Sequence, residues 1–65
     1  MTWVVSEAVR AVGYEPASRT LRVAFRDGGI YEYFDVDPAL FEALLLPHAW
    51  RRVGAEVTAH RYRRL

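Results

Sequence analysis

The sequence predicts a small α+β domain: a three-stranded antiparallel meander sheet, one short helix packed against it, and a basic C-terminal segment that is helical or irregular. Three observations predict this fold. A strand–turn–strand pattern runs from Thr20 to Val36, a proline-containing turn precedes it, and a helix start follows at Asp37 and Pro38. The 65 residues suffice for one domain with a small core.

The first strand is predicted from about Ala8 to Glu15. Val12 and Tyr14 lie two residues apart and should therefore share one face of the sheet. Residues 16–19 begin with proline, which presets φ for a turn, so the strand should pair antiparallel with the next one. Residues 1–5 either extend this pairing or form a flap over the sheet.

The central hairpin is the clearest feature of the sequence. Leu21, Val23 and Phe25 alternate with less apolar residues, which is the period of a strand with one dry and one wet face. Residues 27–29 are Asp-Gly-Gly and should reverse the chain, since they tolerate positive φ. The third strand, Ile30 to Val36, is apolar on both faces, so its orientation depends on the turn.

The length of the hairpin loop decides which side chains of the third strand meet the core. A two-residue loop would expose Tyr31 and Tyr33 and turn Glu32 toward the core. A three-residue loop from Arg26 to Gly28, with the glycine left-handed, would bury the tyrosines and place Glu32 opposite Arg22. We favour the second arrangement, because burying an unpaired carboxylate costs several kcal/mol, whereas facing an arginine is favourable.

A helix is predicted from Pro38 to about Leu46. Asp37 can act as N-cap by accepting backbone N–H bonds, and proline is favoured at the first helical position. Pro47 should end the helix.

The apolar stripe of this helix is unusually wide. Leu40, Phe41, Leu44 and Leu45 can cover a sheet face, and Leu46 extends the stripe around the helix. A helix this short and apolar is either fully buried or contacts a second surface. Leu44, Leu45 and Leu46 are therefore candidates for a protein–protein interface, and in particular for a homodimer.

The remaining segment, from His48 to Leu65, is ambiguous in its structure. Trp50, Val53 and Val57 have helical spacing and should pack on the core, but Gly54 interrupts the pattern. We expect a short helix, a break, and then a second helical piece or an extended tail.

Charge is distributed unevenly along the chain. Residues 1–47 contain four arginines and seven acids, which sum to −3, whereas residues 48–65 contain five arginines and one acid, which sum to +4. The final third is therefore where an anionic partner would dock. Every basic residue is arginine, which binds phosphate in a bidentate manner, although a G+C-rich genome would give the same bias.

Composition also predicts the compartment. There is no cysteine, as expected in a reducing cytoplasm, and we find neither a signal-peptide pattern nor an apolar run of membrane-spanning length. The absence of asparagine and glutamine is typical of a thermophilic source.

The leading functional hypothesis is RNA binding by the C-terminal segment. Arginines that contact phosphates and aromatic rings that stack on bases are the groups a single-stranded RNA site needs. The candidate residues are Arg51, Arg52, Arg61, Tyr62, Arg63 and Arg64. The competing interpretation is a solvated face near a helix C-terminus. Tyr31 and Tyr33 are either core residues or an exposed stacking platform.

No pattern indicates catalysis or metal binding. Ser6, His48 and His60 match no nucleophile–base motif, and Glu56 with His60, four residues apart, is a weak metal-ligand pattern. We therefore expect a non-catalytic binding module without cofactor or metal.

Three motifs together resemble a known family. The run Leu21 to Val36 reads L-x-V-x-F-x-D-G-G-x-Y-x-Y-x-x-V, preceded by A-V-G-Y at Ala11 to Tyr14 and followed by F-E-A-L-L at Phe41 to Leu45. These motifs resemble the KTSC domain over residues 6–46, whereas residues 48–57 depart from its pattern. KTSC domains occur at the C-terminus of some lysyl-tRNA synthetases and alone in small bacterial proteins. The resemblance implies RNA binding only by association, and it brings no catalytic residues.

Overall fold

The computed structural model describes all 65 residues as one antiparallel sheet with two helices on one face. Its elements are β1 (Thr2–Trp3), β2 (Val9–Glu15), β3 (Thr20–Phe25), β4 (Ile30–Tyr33), α1 (Pro38–Leu44), α2 (Trp50–Thr58) and β5 (Tyr62–Arg64). The five strands follow one another across the sheet in chain order. The α+β class and the meander are confirmed, but the prediction of three strands is wrong.

The two additional strands lie at the edges of the sheet. In β1, Trp3 pairs with Ala11 of β2, and in β5, Arg63 pairs with Glu32 of β4. Both strands are short, and every residue in them is exposed. They therefore lack the alternation of buried and exposed residues by which a strand is detected in a sequence.

The central hairpin has the three-residue loop that the sequence favoured. Arg22 lies opposite Glu32 and Val23 opposite Tyr31, while the Phe25 N–H donates to the Gly29 carbonyl at 2.8 Å. Gly28 has a φ of 101°, which residues with a side chain rarely adopt. The tyrosines of β4 consequently share the face of the buried β3 residues, as predicted.

Helix α1 begins as predicted but ends earlier. The Asp37 side chain accepts the Ala39 N–H at 2.8 Å, and Pro38 follows it as the first helical residue. The helix ends at Leu44 rather than Leu46, because the next two N–H groups donate to carbonyls three residues back instead of four. Leu44 is buried and belongs to the core, so its prediction as an interface residue is wrong.

Helix α2 continues through Gly54, where the sequence predicted a break. A Cβ at position 54 would lie 2.8 Å from Cε2 of Trp50, one turn earlier in the helix. The glycine is therefore needed for packing of the indole ring. After the helix the chain does not remain irregular but forms β5 through backbone pairing with β4.

The core lies between the sheet and the two helices. Its ten buried residues are Val9, Val12, Leu21, Val23, Tyr33, Val36, Leu40, Leu44, Ala49 and Val57. Trp50 and Val53 pack against it, so the predicted inward face of the second helix is confirmed. Neither helix has the length and apolar character needed to cross a bilayer.

Candidate nucleic-acid interface

The two faces of the sheet differ in their covering. One face packs against α1 and α2, and the other carries no helix. We call the second one the open face. Strand alternation and the register place on it Trp3, Ala11, Gly13, Glu15, Thr20, Arg22, Ala24, Ile30, Glu32, Phe34, Arg61 and Arg63.

An ionic triad crosses three strands at the centre of the open face. Arg22 donates from Nη2 to Oε2 of Glu32 at 2.7 Å, and Arg63 donates from Nε to Oε1 at 2.9 Å. The hydrogen bond from Arg22 lowers the pKa of Glu32 most, and Arg63 lowers it further, although burial opposes both effects. The ionised carboxylate thus holds two guanidinium groups side by side and ties β5 to the sheet.

Two pairs of arginine and aromatic ring flank this triad. The Arg10 guanidinium lies 5.7 Å from the centre of the Trp3 ring, and that of Arg61 lies 5.5 Å from the centre of the Phe34 ring. These distances are typical of cation–π contacts. Trp3 is 72% exposed, so its indole is available to a ligand.

The open face is positively charged. It has four arginines, counting Arg10 above Trp3, against the two carboxylates of Glu15 and Glu32, a sum of +2. Small residues lie between the charged ones, as at Ala11 and Gly13. Ala11 is buried and Met1 packs against Gly13, so an extended polyanion would contact the larger side chains around them.

The structure does not gather the predicted C-terminal arginines into one patch. Arg61 and Arg63 lie on the open face, whereas Arg64 lies 5.6 Å from the Tyr31 ring on the helix side. On α2, Arg51 forms an exposed ion pair with Glu7 at 2.6 Å, and Arg52 is exposed. Only two of the five arginines thus share the open face.

The tyrosines form a separate cluster at the helix-covered edge of the sheet. The ring centre of Tyr31 lies 6.4 Å from that of Tyr33 and 5.7 Å from that of Tyr62. Tyr33 is buried, and this burial, with the two neighbouring phenols, raises its pKa. Tyr33 is a core residue, Tyr31 is half-buried, and Tyr62 alone is largely exposed, so the pair in β4 does not form an exposed platform.

The sequence alone does not predict the other half of the open face. Trp3, Arg10 and Phe34 carry no functional signal in the sequence, because their proximity to the basic residues depends on pairing at both sheet edges. Alternation along β3 did place Arg22 on the wet face. It did not show that Arg22 would share a carboxylate with Arg63, forty-one residues later.

The other candidate groups remain apart or engaged locally. The Ser6 hydroxyl oxygen accepts the N–H groups of Ala8 and Val9 at 3.2 Å. Nδ1 of His60 lies 3.0 Å from the Glu56 carbonyl oxygen, within one turn of chain. No group of three or more His, Cys, Asp or Glu side chains is arranged to hold a metal ion.

Comparison with known proteins identifies similar chains. The KTSC domain profile matches residues 5–48. A protein of Tsukamurella paurometabola is 35% identical over 60 residues, which span 92% of this chain and 90% of that protein. An uncharacterized protein of Stutzerimonas stutzeri is 40% identical over 40 residues, spanning 62% of this chain and 56% of that protein. No solved structure matches.

Proposed function

The chain belongs to the KTSC domain family, and we propose that it is a non-catalytic module that binds single-stranded RNA across the open face of its sheet. One observation carries the proposal. On a sheet face without helices, a central pair of arginines lies between two aromatic residues that each carry a further arginine.

The chemistry of the open face suits a flexible strand rather than a duplex. Arginines bind phosphate oxygens through two parallel N–H bonds, and aromatic rings stack only on bases that are already unpaired. A sheet face that presents aromatic residues is one of the known platforms for two or three stacked bases. In the proposed complex, the four arginines of the open face contact phosphates while bases stack near Trp3 and Phe34.

Binding through phosphates has a thermodynamic signature. Each neutralised phosphate releases counterions, so affinity for a single strand falls with salt by a logarithmic slope of about 0.7 per contact. Contacts of this kind carry no sequence information. The cytoplasm, which the lack of cysteine favours, is where we expect this interaction.

Fluorescence anisotropy with a labelled nine-residue oligouridine tests the proposal, with tRNA as a second ligand. Arg10→Ala with Arg61→Ala removes both cation–π arginines from the open face. Arg51→Ala with Arg52→Ala removes the same charge from α2 and serves as the matched control. We expect the first double variant to bind at least tenfold more weakly and to lower the salt slope by about 1.4.

Two results would contradict RNA binding at this face. Absence of oligouridine and tRNA binding at low salt would refute the interaction itself. Equal losses in the two double variants would mean that net charge, and not the open face, attracts the strand.

A second candidate function is self-association through the end of α1. Leu45 and Leu46 are adjacent and respectively 40% and 55% exposed, which leaves apolar surface after the core residues are buried. We expect light scattering at high protein concentration to show a dimer that Leu46→Glu dissociates. A strict monomer would remove this candidate.

A further inference from the structure

The open face contains a pocket on the side of Arg22 nearest the β2–β3 turn. Its volume is about 390 Å³, which is within the range of small-molecule sites, roughly 300–1,000 Å³. Its lining includes Gly13, Glu15, Ser18, Thr20, Arg22 and Phe34. With Glu32, which is already paired with Arg22, the pocket combines an aromatic ring, two carboxylates and an arginine.

The Met1 side chain packs against Gly13 in this pocket. A Cβ at position 13 would lie 3.4 Å from Cγ of Met1, which lines the same pocket. This distance is an ordinary van der Waals contact, so the Met1 side chain already covers Gly13. A ring that enters the pocket therefore contacts Met1 as well as Phe34.

The two hydroxyl groups of the pocket lie next to each other. The Ser18 hydroxyl donates to Oγ1 of Thr20 at 2.9 Å, and the Thr20 hydroxyl donates to the Ser18 carbonyl at 3.4 Å. Both oxygens retain lone pairs that can accept a hydrogen bond.

Glu15 adds further acceptors. Its Oε1 accepts the Ala17 N–H at 2.9 Å, and no protein group donates to its Oε2. With the hydroxyls of Ser18 and Thr20, the side chains at this end of the pocket therefore present acceptors. A ligand with hydrogen-bond donors would complement these acceptors.

We infer that this pocket binds one guanine base of the RNA strand, an assignment that rests on the proposed function. Guanine is the RNA base whose Watson–Crick edge carries two adjacent donors, N1–H and the N2 amino group. A carboxylate can accept both, and charge-assisted bonds of this kind are the strong ones. The purine ring packs beside Phe34, while Arg22 lies at the boundary toward the phosphate-binding centre.

Nonamers with one central position varied in oligouridine test the assignment. Guanine at that position should raise affinity about tenfold over uracil, adenine or cytosine, the scale of one charge-assisted hydrogen bond. Inosine lacks the 2-amino group and should lose a large part of that gain. The single guanine avoids association between strands.

The role of Glu15 is tested separately. Glu15→Gln keeps an oxygen for the Ala17 N–H, so the turn should persist, but it places an amide donor toward the base. We expect the guanine preference to fall below about twofold, with oligouridine affinity undiminished. Glu42→Gln makes the same charge change at an exposed position of α1 and should retain the guanine preference.

The outcomes separate the two proposals. Equal affinity for all five nonamers, or a guanine preference that survives Glu15→Gln, would overturn the guanine pocket and leave RNA binding intact. Failure of every nonamer to bind at low salt would overturn RNA binding itself, and the pocket assignment with it.

Discussion

At Gly54, packing of the neighbouring Trp50 side chain overrides the low helix propensity of glycine. Glycine in a helix interior costs about 1 kcal/mol relative to alanine, yet α2 continues through it. The indole of Trp50 lies where a Cβ would be. The same ring packs edge-on against Phe25, with the two ring centres 5.2 Å apart. Glycine at this position lowers the intrinsic stability of α2, but it allows the Trp50 indole to pack against the helix and to contact Phe25 of the sheet.

Gly54→Ala should therefore destabilise the domain despite the better helix propensity of alanine. Overpacking costs about 1–3 kcal/mol, against about 1 kcal/mol of gained propensity, so we expect a net loss of about 1 kcal/mol. Urea unfolding measures this change. In a Trp50→Leu background the same substitution should become neutral or stabilising, and an equal loss in both backgrounds would show that the indole is not the cause.

Glu32 makes stability depend on pH in a defined direction. Its pKa lies below the ordinary value of 4.5, chiefly because Arg22 and then Arg63 hydrogen-bond to the ionised form. A carboxyl with a lowered pKa stabilises the fold above its unfolded pKa, and this contribution is lost as pH falls through the folded pKa.

We predict that the free energy of unfolding of the wild type declines as pH falls below about 4.5 and that Glu32→Gln flattens this decline. The variant should also be less stable at pH 7, because two guanidinium groups lose their shared carboxylate. Urea unfolding at several pH values measures both effects. Glu42→Gln is the control, and an unchanged pH profile in Glu32→Gln would contradict the role of the triad.

At the scale of single elements, the predictable ones are those whose signals are local. Alternation in β3, the Asp-Gly-Gly turn and the Asp37-Pro38 start all depend on residues adjacent in the chain, and the structure has each of them. The edge strands β1 and β5 form through backbone pairing with distant partners and bury no side chain of their own. Nothing in their composition distinguishes them from loops.

The start of α1 provides a test of one such local signal. Asp37→Ala removes the oxygen that accepts the Ala39 N–H and should cost about 1 kcal/mol of stability. Asp37→Asn keeps an equivalent cap and loses only the exposed pair with Arg19 at 3.8 Å, which is worth at most about 1 kcal/mol. Urea unfolding should therefore rank asparagine close to wild type. Equal losses would assign the effect to charge instead of capping.

At the scale of the whole molecule, one face of the sheet packs against the helices to form the core, and the other face is accessible to a ligand. Both helices cover the same side of the sheet, so the buried apolar residues of this short chain form a single core. The sequence predicted that core and a basic end but not the open face, because the open face joins residues from both ends of the chain. To predict the open face one must know that the short strands β1 and β5 form the two edges of the sheet, and the sequence does not show this.

The melting temperature distinguishes RNA binding at a folded site from nonspecific attraction of RNA to a basic chain. All nine arginines persist in the unfolded chain, so a purely charge-driven ligand binds both states and leaves the melting temperature almost unchanged. A ligand of the open face binds the folded state only. At a hundred times its dissociation constant it should add about 2.7 kcal/mol of stability, which raises the melting temperature of a domain of this size by about 10–20 °C.

We therefore predict that the guanine-containing nonamer raises the melting temperature of the wild type, measured by circular dichroism at low salt. The variant Arg10→Ala with Arg61→Ala should lose at least about half of this shift at the same ligand concentration, whereas Arg51→Ala with Arg52→Ala should retain it. An unchanged or lowered melting temperature in the presence of tightly bound RNA would mean that the strand prefers the unfolded chain. Binding would then depend on arginine content alone, and the arrangement of side chains on the open face would not matter for it.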